Sequence, residues 1–478
     1  AMATLLTEAP EVRDLGKPRL AVDRAFTIRG VGTVVTGTLA EGSIGVGSDF
    51  AILPGGGTAH VRTAQSHGKA VDLVPPGTRT ALNLTGVGLR DGKSGKDGIG
   101  RGDVLASPDF GDPALVIDAL VEKSNREIRG MKQSKRALKT GREVMFHHGS
   151  SGQPARIHFL GQRSLSPGES VLAELRFSDS VAVSVGDRFV IRDASLGLTL
   201  AGGVVLDEGA NRRAFRKAFQ GEFLEARREN PDDLATLVRS QLKRDRVAFL
   251  PALLYRSAFR EDEIREAVEE QVSTGELERS GDWAFLANWW RGIAGLAAEN
   301  INEIHRRHPE QLGLPLRDLR SMMEPELPAP KFFDMVLEGL LAGEFAKAGP
   351  NIRHREHVPV LPPELKAAGE RVRQRLTSDL ISPPNKGETA TNADEEKALR
   401  FLVHTGEVIE LDPKTVISSK GFEVIRDEVV DYLSKEGRAT ASDLRQQTGS
   451  VRRILMPLLE QLDDEGITVR EGDERRLK

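Results

Sequence analysis

Two adjacent arginines, Arg452 and Arg453, stand in the first turn of a predicted amphipathic helix within "SVRRILMPLLEQLDDEG". Cations at this position oppose the helix macrodipole unless an anion such as a phosphate group lies close by. The hairpin predicted next, "ITVREGDERRL", adds Arg470, Arg475 and Arg476 among acidic residues. These guanidinium groups predict contacts to the phosphates of a nucleic acid, and a merely solvated charged surface is the alternative that the residues leave open.

A second stretch that could do chemistry, "GLRDGKSGKDGIG" from Gly88 to Gly100, resembles a phosphate-binding loop. A Walker A loop requires glycine where this chain has Val87, and it leads into a helix, whereas this stretch joins two predicted strands. "PPNKGET" similarly resembles a guanine-reading motif, but Glu388 replaces the required aspartate. We therefore expect that this chain does not hydrolyse GTP and is not an enzyme by itself.

The composition narrows the function classes further. The 478 residues include no cysteine, which excludes disulfides, thiolate metal sites and cysteine nucleophiles, and the 10 histidines show no metal-ligand spacing. No apolar run of about 18 residues could cross a membrane, and the N-terminal residues lack the pattern of a signal peptide. The net charge is −4, so nucleic-acid binding must come from local segregation of charge. We expect a cytoplasmic protein without a membrane partner.

The first part of the chain is predicted to be β-structure. Short alternating segments are separated by glycine and proline turns up to about Asp207, a pattern typical of barrels and sandwiches. Two of these segments, "VGSDFAIL" and "VGDRFVIR", each place a Val-Gly turn before an alternating strand. We therefore predict a lead-in over residues 1–16 and two successive β-barrels over residues 17–112 and 113–207.

The rest of the chain is predicted to be helical and repeated. Roughly every 65 residues an amphipathic helix ends at a glycine that a short apolar strand follows, as expected of a left-handed glycine cap. The glycines are Gly275, Gly343, Gly406 and Gly466. This pattern predicts four winged helices in tandem, an α+β architecture. The predicted units cover residues 208–287, 288–361, 362–420 and 421–478.

Local signals describe the last unit in more detail. Thr440 and Ser450 are expected to cap its second and third helices, Gly449 to form the turn between them, and Gly472 to turn the hairpin. The first three units are less basic and are predicted to be a rigid spacer. The polar, proline-bearing stretch 378–396 is predicted to be a mobile linker that lets the third and fourth units swing.

Several motifs resemble one family of translation factors. "RLAVDRAFTIRGVGTVVTGTL", "VRTAQSHG", "PGTRTALNL" and "RGDVL" resemble, in this order, the second domain of selenocysteine-specific elongation factors of the SelB type. "GDRFVIRDAS" resembles the end of the third domain, and "LLEQLDDEGITVREGDERRL" resembles the last winged helix. The resemblance implies two translation-factor β-barrels and four winged helices without the GTPase domain. GTP and Mg would belong to that missing domain of a GTPase parent, and this chain would hold no cofactor.

The resemblance also implies a function. Such a factor delivers selenocysteinyl-tRNA to the ribosome at an in-frame UGA codon, and in bacteria its winged-helix arm holds an mRNA hairpin (SECIS) beside that codon. By similarity, Asp23, Arg24 and Arg79 line the aminoacyl pocket, where two guanidinium groups would favour a selenolate over a serine hydroxyl. Without the resemblance, the aspartate and the arginines would be only an ion pair at a strand start. The last winged helix would bind the hairpin through its arginines, and we expect a monomer.

Two other function classes stay open at this point. Tandem winged helices also serve DNA-binding regulators, although the barrels and the weakly basic first three units count against that class. A ribosome-associated architectural protein could keep the fold and lose the pocket, but the arginine at position 79 argues against such a loss.

Overall fold

The structure, a computed structural model, describes residues 12–90, 98–125, 136–195 and 197–478. These residues form two compact units, one that ends at Trp290 and one that begins at Arg291. The tripeptide Gly92-Lys93-Ser94, which resembles part of a phosphate-binding loop, lies outside the described residues. Among the helices that the structure describes, none is both long enough and apolar enough to cross a bilayer.

The first part of the chain folds into a sheet that closes on itself. The strand order is β4-β9-β1-β2-β8-β5-β6, and β4 also pairs with β5. Alternating residues such as Leu20, Val22 and Leu82 face one buried core. The strands are β1 (Arg19–Ile28), β2 (Gly32–Ala40), β3 (Ile44–Gly45), β4 (Asp49–Leu53), β5 (Thr58–Ser66), β6 (Lys69–Val71), β7 (Leu73–Val74), β8 (Arg79–Thr85) and β9 (Val104–Ala106).

A second, closed barrel follows with the strand order β10-β15-β13-β12-β16-β17. Phe146 lies in its core, with ring centroids 5.0 Å from Phe177 and 4.8 Å from Phe189. The strands are β10 (Ala114–Lys123), β11 (Leu138–Lys139), β12 (Glu143–His148), β13 (Ser151–Phe159), β14 (Ser164–Leu165), β15 (Ser170–Val181), β16 (Arg188–Arg192) and β17 (Thr199–Asp207). The prediction of a β-rich first part is confirmed.

Winged-helix units occupy the rest of the chain. The helices are α1 (Ala218–Glu229), α2 (Leu234–Asp245), α3 (Glu261–Ser273), α4 (Ala287–Arg307), α5 (Leu316–Met323), α6 (Phe332–Ala342), α7 (Pro363–Ser378), α8 (Lys386–Thr389), α9 (Ala393–His404), α10 (Ser419–Glu436), α11 (Ala441–Thr448) and α12 (Arg452–Asp464).

Antiparallel hairpins form the wings of these units. They are β19 with β20, β22 with β23, β24 with β25, and β27 with β28. The strands are β18 (Val247–Phe249), β19 (Leu277–Ser280), β20 (Trp283–Leu286), β21 (Leu314–Pro315), β22 (Phe345–Ala348), β23 (Asn351–His354), β24 (Val408–Asp412), β25 (Thr415–Ser418), β26 (Ala439–Thr440), β27 (Thr468–Glu471) and β28 (Glu474–Leu477). The predicted plan of four helix-and-wing repeats is confirmed.

The glycine that ends each repeated helix behaves as predicted in three of the repeats. Gly275, Gly406 and Gly466 have φ values of 76°, 78° and 70°, in the left-handed region that favours glycine. Gly343 has φ −98°, so the expected left-handed cap is wrong there. Its N–H donates to the carbonyl of Leu340 at 3.1 Å, and this tighter turn ends the helix without a left-handed residue.

The segment between the second barrel and the first winged helix packs against both. Phe215 and Phe223 lie in a buried cluster with barrel residues that include Leu206. Arg227 of α1 is fully buried, and its guanidinium donates to the Leu206 carbonyl and to Ser240 Oγ on α2. The barrel and the first winged helix therefore share packing across the predicted domain border.

The stretch 378–396, predicted to be a mobile linker, is packed in the structure. Helix α8 begins within it. Ser450 Oγ donates to the Ile381 carbonyl at 2.6 Å, and the Arg453 guanidinium donates to the Pro383 carbonyl. Polar composition does not reveal such contacts to residues about 70 positions away in the chain, and the mobility of the stretch stays a prediction. These contacts join the third and fourth winged helices.

Candidate functional site

A β-bulge in the first barrel positions Asp23. Val22 pairs with Gly37 and Arg24 pairs with Thr36, so Asp23 is an extra residue in β1 without a partner on β2. Such bulges commonly re-aim a side chain. Here the Asp23 carboxylate accepts a hydrogen bond from Thr36 Oγ1 at 2.6 Å.

The same carboxylate contacts Arg79 on β8. Arg79 Nη1 donates to Asp23 Oδ2 at 2.5 Å, although the two residues are 56 positions apart. The Arg79 side chain is 57% exposed and the Asp23 side chain 28% exposed. Arg24, the next residue in β1, is exposed. The structure thus brings the three predicted pocket residues together, with a carboxylate holding one guanidinium that keeps free donors.

The carboxylate at the bulge stays ionised. Burial raises the pKa of Asp23, but the hydrogen bonds from Thr36 and Arg79 and the charges of Arg79 and Arg24 outweigh burial and hold that pKa below its usual value. The negative charge that orients Arg79 is therefore present throughout the neutral pH range.

Replacing Thr36 with valine is expected to raise the pKa of Asp23. The substitution removes a hydrogen bond to the charged form and leaves the burial, which favours the neutral form. The Asp23–Arg79 ion pair should then be lost at a higher pH than in the unaltered protein as the pH falls. A pH titration of carbon-13-labelled aspartate by NMR measures this shift. Thr58→Val, at an exposed threonine of β5 whose strand partner is Ala51, is the matched control and should leave the titration unchanged.

Sequence reasoning missed Thr36 and the residues on the far side of Arg79. Ser66 Oγ lies 3.0 Å from His67 Nδ1 and donates weakly to the Arg79 carbonyl at 3.4 Å. His67 has φ 50°, a left-handed value that is uncommon for a residue other than glycine. No sequence spacing connects these residues to Asp23, because the pairing of neighbouring strands brings them together.

The predicted nucleic-acid contact begins at helix α12, where two cap predictions have different outcomes. The side chain of Thr440 and that of Asp443 cap each other's backbone N–H groups at the start of α11, as predicted for Thr440. Ser450 does not cap α12, whose N-cap is Val451 and lacks a side-chain hydrogen bond. The Ser450 hydroxyl instead donates a hydrogen bond to the Ile381 carbonyl. Arg452 is exposed at this uncapped helix start.

The wing of the last unit exposes fewer arginine side chains than predicted. Arg475 is only 3% exposed, and its Nε donates to Asp463 Oδ2 at 2.9 Å. Strand β28 turns this residue inward, and the RNA contact predicted for Arg475 stays a prediction. Arg476 donates to Glu471 at 2.7 Å, and Arg470 donates to the backbone carbonyl at the hairpin turn. Arg470 and Arg476 remain on the outer surface.

A basic cluster on the second barrel was not predicted. Arg156 on β13 lies directly opposite Arg176 on β15, and Arg176 also donates to the buried Glu174. The turn after β17 adds three arginines to a shallow pocket beside His158, namely Arg212, Arg213 and Arg216. Burial and the neighbouring arginines lower the pKa of His158 below its usual value. The run "NRRAFRK" was the only sequence signal, since the strand arginines are far from it in the chain.

Family models match three parts of the chain. Residues 299–348 and 431–477 each match a model described as "Elongation factor SelB, winged helix". Residues 125–212 match a model described as "Selenocysteine-specific elongation factor, beta-barrel domain". The matched regions overlap the second barrel, the second winged helix and the last winged helix.

Curated relatives described as selenocysteine-specific elongation factors match almost the whole chain. The selenocysteine-specific elongation factor of Desulfomicrobium baculatum is 29% identical over 471 residues, which cover 96% of this chain and 72% of the relative. That of Escherichia coli (strain K12) is 25% identical over 482 residues, with 96% and 70% covered. Elongation factor 1-alpha of Methanosarcina barkeri matches over a shorter region of 209 residues at 26% identity, 39% of this chain and 46% of the relative.

A solved structure shows the same fold. The crystal structure of a bacterial selenocysteine-specific elongation factor, EF-Sec, superimposes with a TM-score of 0.61 at 20% sequence identity and covers 100% of this chain and 72% of the other. The predicted architecture of barrels and winged helices is therefore confirmed, and this chain contains a SelB-like β-barrel domain and SelB-like winged-helix domains.

Proposed function

We propose that this chain is the tRNA- and mRNA-binding body of a selenocysteine-specific elongation factor. In this proposal the first barrel binds selenocysteinyl-tRNA, and the last winged helix binds an mRNA hairpin (SECIS) downstream of an in-frame UGA codon. The likeness of the domains to those of SelB-type factors supports the proposal, as do relatives that carry this name.

The observation that carries the proposal is the arrangement of Arg79 and Asp23. A selenol is more acidic than a thiol and is largely an anion near neutral pH, whereas the hydroxyl of a serine carried by the same tRNA is neutral. Arg79 is oriented by an ionised carboxylate, remains more than half exposed, and has Arg24 close by. A charge-assisted hydrogen bond from the free part of its guanidinium would favour a selenolate over a hydroxyl.

RNA binding is supported by two exposed groups of cations. Arg452 stands at a helix start without a side-chain cap, where backbone N–H groups and the macrodipole favour a phosphate. The arginine cluster around His158 lies on the second barrel, where it would attract the phosphate backbone of the tRNA. A monomer that works with the ribosome fits this proposal, and we assign GTP hydrolysis to no residue of this chain.

The proposal is tested by comparing RNA with DNA. The full chain is titrated with an RNA hairpin taken from just downstream of an in-frame UGA codon in the same genome, and with duplex DNA of equal charge, at two salt concentrations. We expect the hairpin to bind at least about tenfold more tightly than the DNA at both salt concentrations. Phosphate contacts alone would bind both nucleic acids, so a preference of this size requires contacts to the shape or the unpaired bases of the hairpin. Preference for DNA would instead support a regulator, and absence of binding to either would support an architectural protein.

A further inference from the structure

A basic cleft of about 910 Å³ lies where the third and fourth winged helices meet. Arg452 and Arg453 of α12 line it from the fourth unit. Lys386 at the start of α8 and Lys414 in the turn between β24 and β25 line it from the third unit. Asp412 is the carboxylate among the lining residues, and Glu410, which does not line the cleft, pairs with Lys386.

On the third-unit side of the cleft, the backbone N–H and the charge of Lys414 both lower the pKa of Asp412, so this acid offsets part of that charge. Asp412 Oδ1 accepts a hydrogen bond from the backbone N–H of Lys414 at 2.7 Å, so its carboxylate holds the turn together. Within the described part of the chain, the exposed Lys414 ammonium has no ion pair. The backbone N–H of Lys386 donates to the Lys414 carbonyl at 2.9 Å, which keeps the two segments adjacent, and the Lys386 ammonium pairs with Glu410.

The fourth-unit side adds a helix start to the cleft. Helix α12 begins at Arg452, has no acidic residue in its first turn and has no side-chain cap. The N–H of Ile454 donates to the Val451 carbonyl at 3.0 Å, which leaves the N–H groups of Arg452 and Arg453 to an anion. Arg453 donates to the Pro383 carbonyl, so this arginine also fixes the third unit against the fourth. Among the residues that the structure describes, Arg452 has no ion pair.

The wing of the fourth unit, by contrast, is largely neutralised by its own acids. Glu471 pairs with Arg476 and lies 3.7 Å from Arg438. Arg475 is buried against Asp463. Among the described residues, Arg470 is the wing arginine without an ion pair, whereas Arg452 and Lys414, both without one, line the same cleft.

From this arrangement we propose that the cleft holds the phosphate backbone of the hairpin RNA, and that Lys414 and Lys386 are contacts contributed by the third winged helix. The inference rests on the proposed hairpin binding and goes beyond it, because it assigns part of the binding site to a unit that the sequence predicts to be only a spacer. The hairpin would lie across the junction of the two units, with one stretch of backbone between Lys414 and the start of α12.

The test is a charge reversal in the full chain. Lys414→Glu is expected to lower the affinity for the hairpin RNA by about tenfold at low salt. The milder Lys414→Ala should reduce the slope of log affinity against log salt concentration by about 0.7 to 0.9, the loss of one phosphate contact. Lys366→Glu is the matched control, because Lys366 is an exposed lysine on α7 of the same winged helix and does not line the cleft. It should change the affinity by no more than about twofold.

The outcomes separate this inference from the proposed function. If Lys414→Glu behaves like Lys366→Glu while Arg452→Glu abolishes binding, the hairpin site is confined to the last winged helix and the inference is overturned. If the unaltered chain shows no selectivity for the hairpin, the proposed function and the inference both fail. The thermal unfolding of each variant must match that of the unaltered protein. If the glutamate variant unfolds, the salt slope of Lys414→Ala shows whether Lys414 contacts the hairpin RNA.

Discussion

Replacing Arg79 with alanine is expected to weaken binding of selenocysteinyl-tRNA by about 10- to 100-fold, and to change binding of seryl-tRNA by less than about threefold. The lost interaction is a charge-assisted hydrogen bond that only the selenolate can accept as an anion. The measurement is an equilibrium titration of the full chain with the same tRNA carrying either selenocysteine, under reducing conditions, or serine. Arg62→Ala, an exposed arginine on β5 of the same barrel, should leave both affinities unchanged.

The same titration tests whether Asp23 contributes to tRNA binding by orienting Arg79. Asp23→Asn keeps the size of the side chain and removes the charge that holds Arg79, so the guanidinium should lose part of its orientation. Selenocysteinyl-tRNA binding is then expected to fall less than in Arg79→Ala, because Asp23→Asn keeps the Arg79 guanidinium and weakens only its orientation. An equal loss for the seryl and selenocysteinyl forms in Arg79→Ala would remove the selenolate from the explanation and leave Arg79 a general tRNA contact.

Reversing the charge of Arg452 is expected to lower the affinity for hairpin RNA by at least about 30-fold at low salt. A glutamate there would repel a phosphate at the point where the N–H groups of α12 attract it. The difference in affinity between the variant and the unaltered protein should shrink as salt is added, because salt screens both the attraction of Arg452 for a phosphate and the repulsion by the glutamate. Fluorescence anisotropy with labelled hairpin at several salt concentrations provides the measurement.

The full chain is the suitable material for that experiment. Arg453 and Ser450 both contact the backbone of the third winged helix, so the last unit cut out alone would lose those partners. Arg452 is a sharper target than Arg453 for the same reason, since changing Arg453 would also disturb the junction. Lys435→Glu, an exposed position at the end of α10, is the matched control. Unchanged hairpin affinity in Arg452→Glu would exclude the start of α12 from the RNA site.

The signals in the sequence that were confirmed are local ones. The N-cap at Thr440 depends on Asp443 three residues later, and the left-handed turns at Gly449 and Gly472, with φ of 63° and 66°, depend on the glycines themselves. Alternation of apolar residues predicted the strands, and the repeated glycines predicted the winged helices, because both periods follow from backbone geometry. The roles of Asp23, Arg24 and Arg79 in binding tRNA stay predictions.

By itself, the sequence determined the fold class, the order of the domains and the residue types that could bind anions. Only the tertiary structure decided which of those side chains are free. Arg475 is buried against Asp463, and the Ser450 hydroxyl donates to the third winged helix. Lys414 and Arg452 line the same cleft although they are 38 positions apart in the chain. The physical reason is that a charge acts through the space around it, and burial and pairing arise from residues distant in the chain that only folding brings into contact.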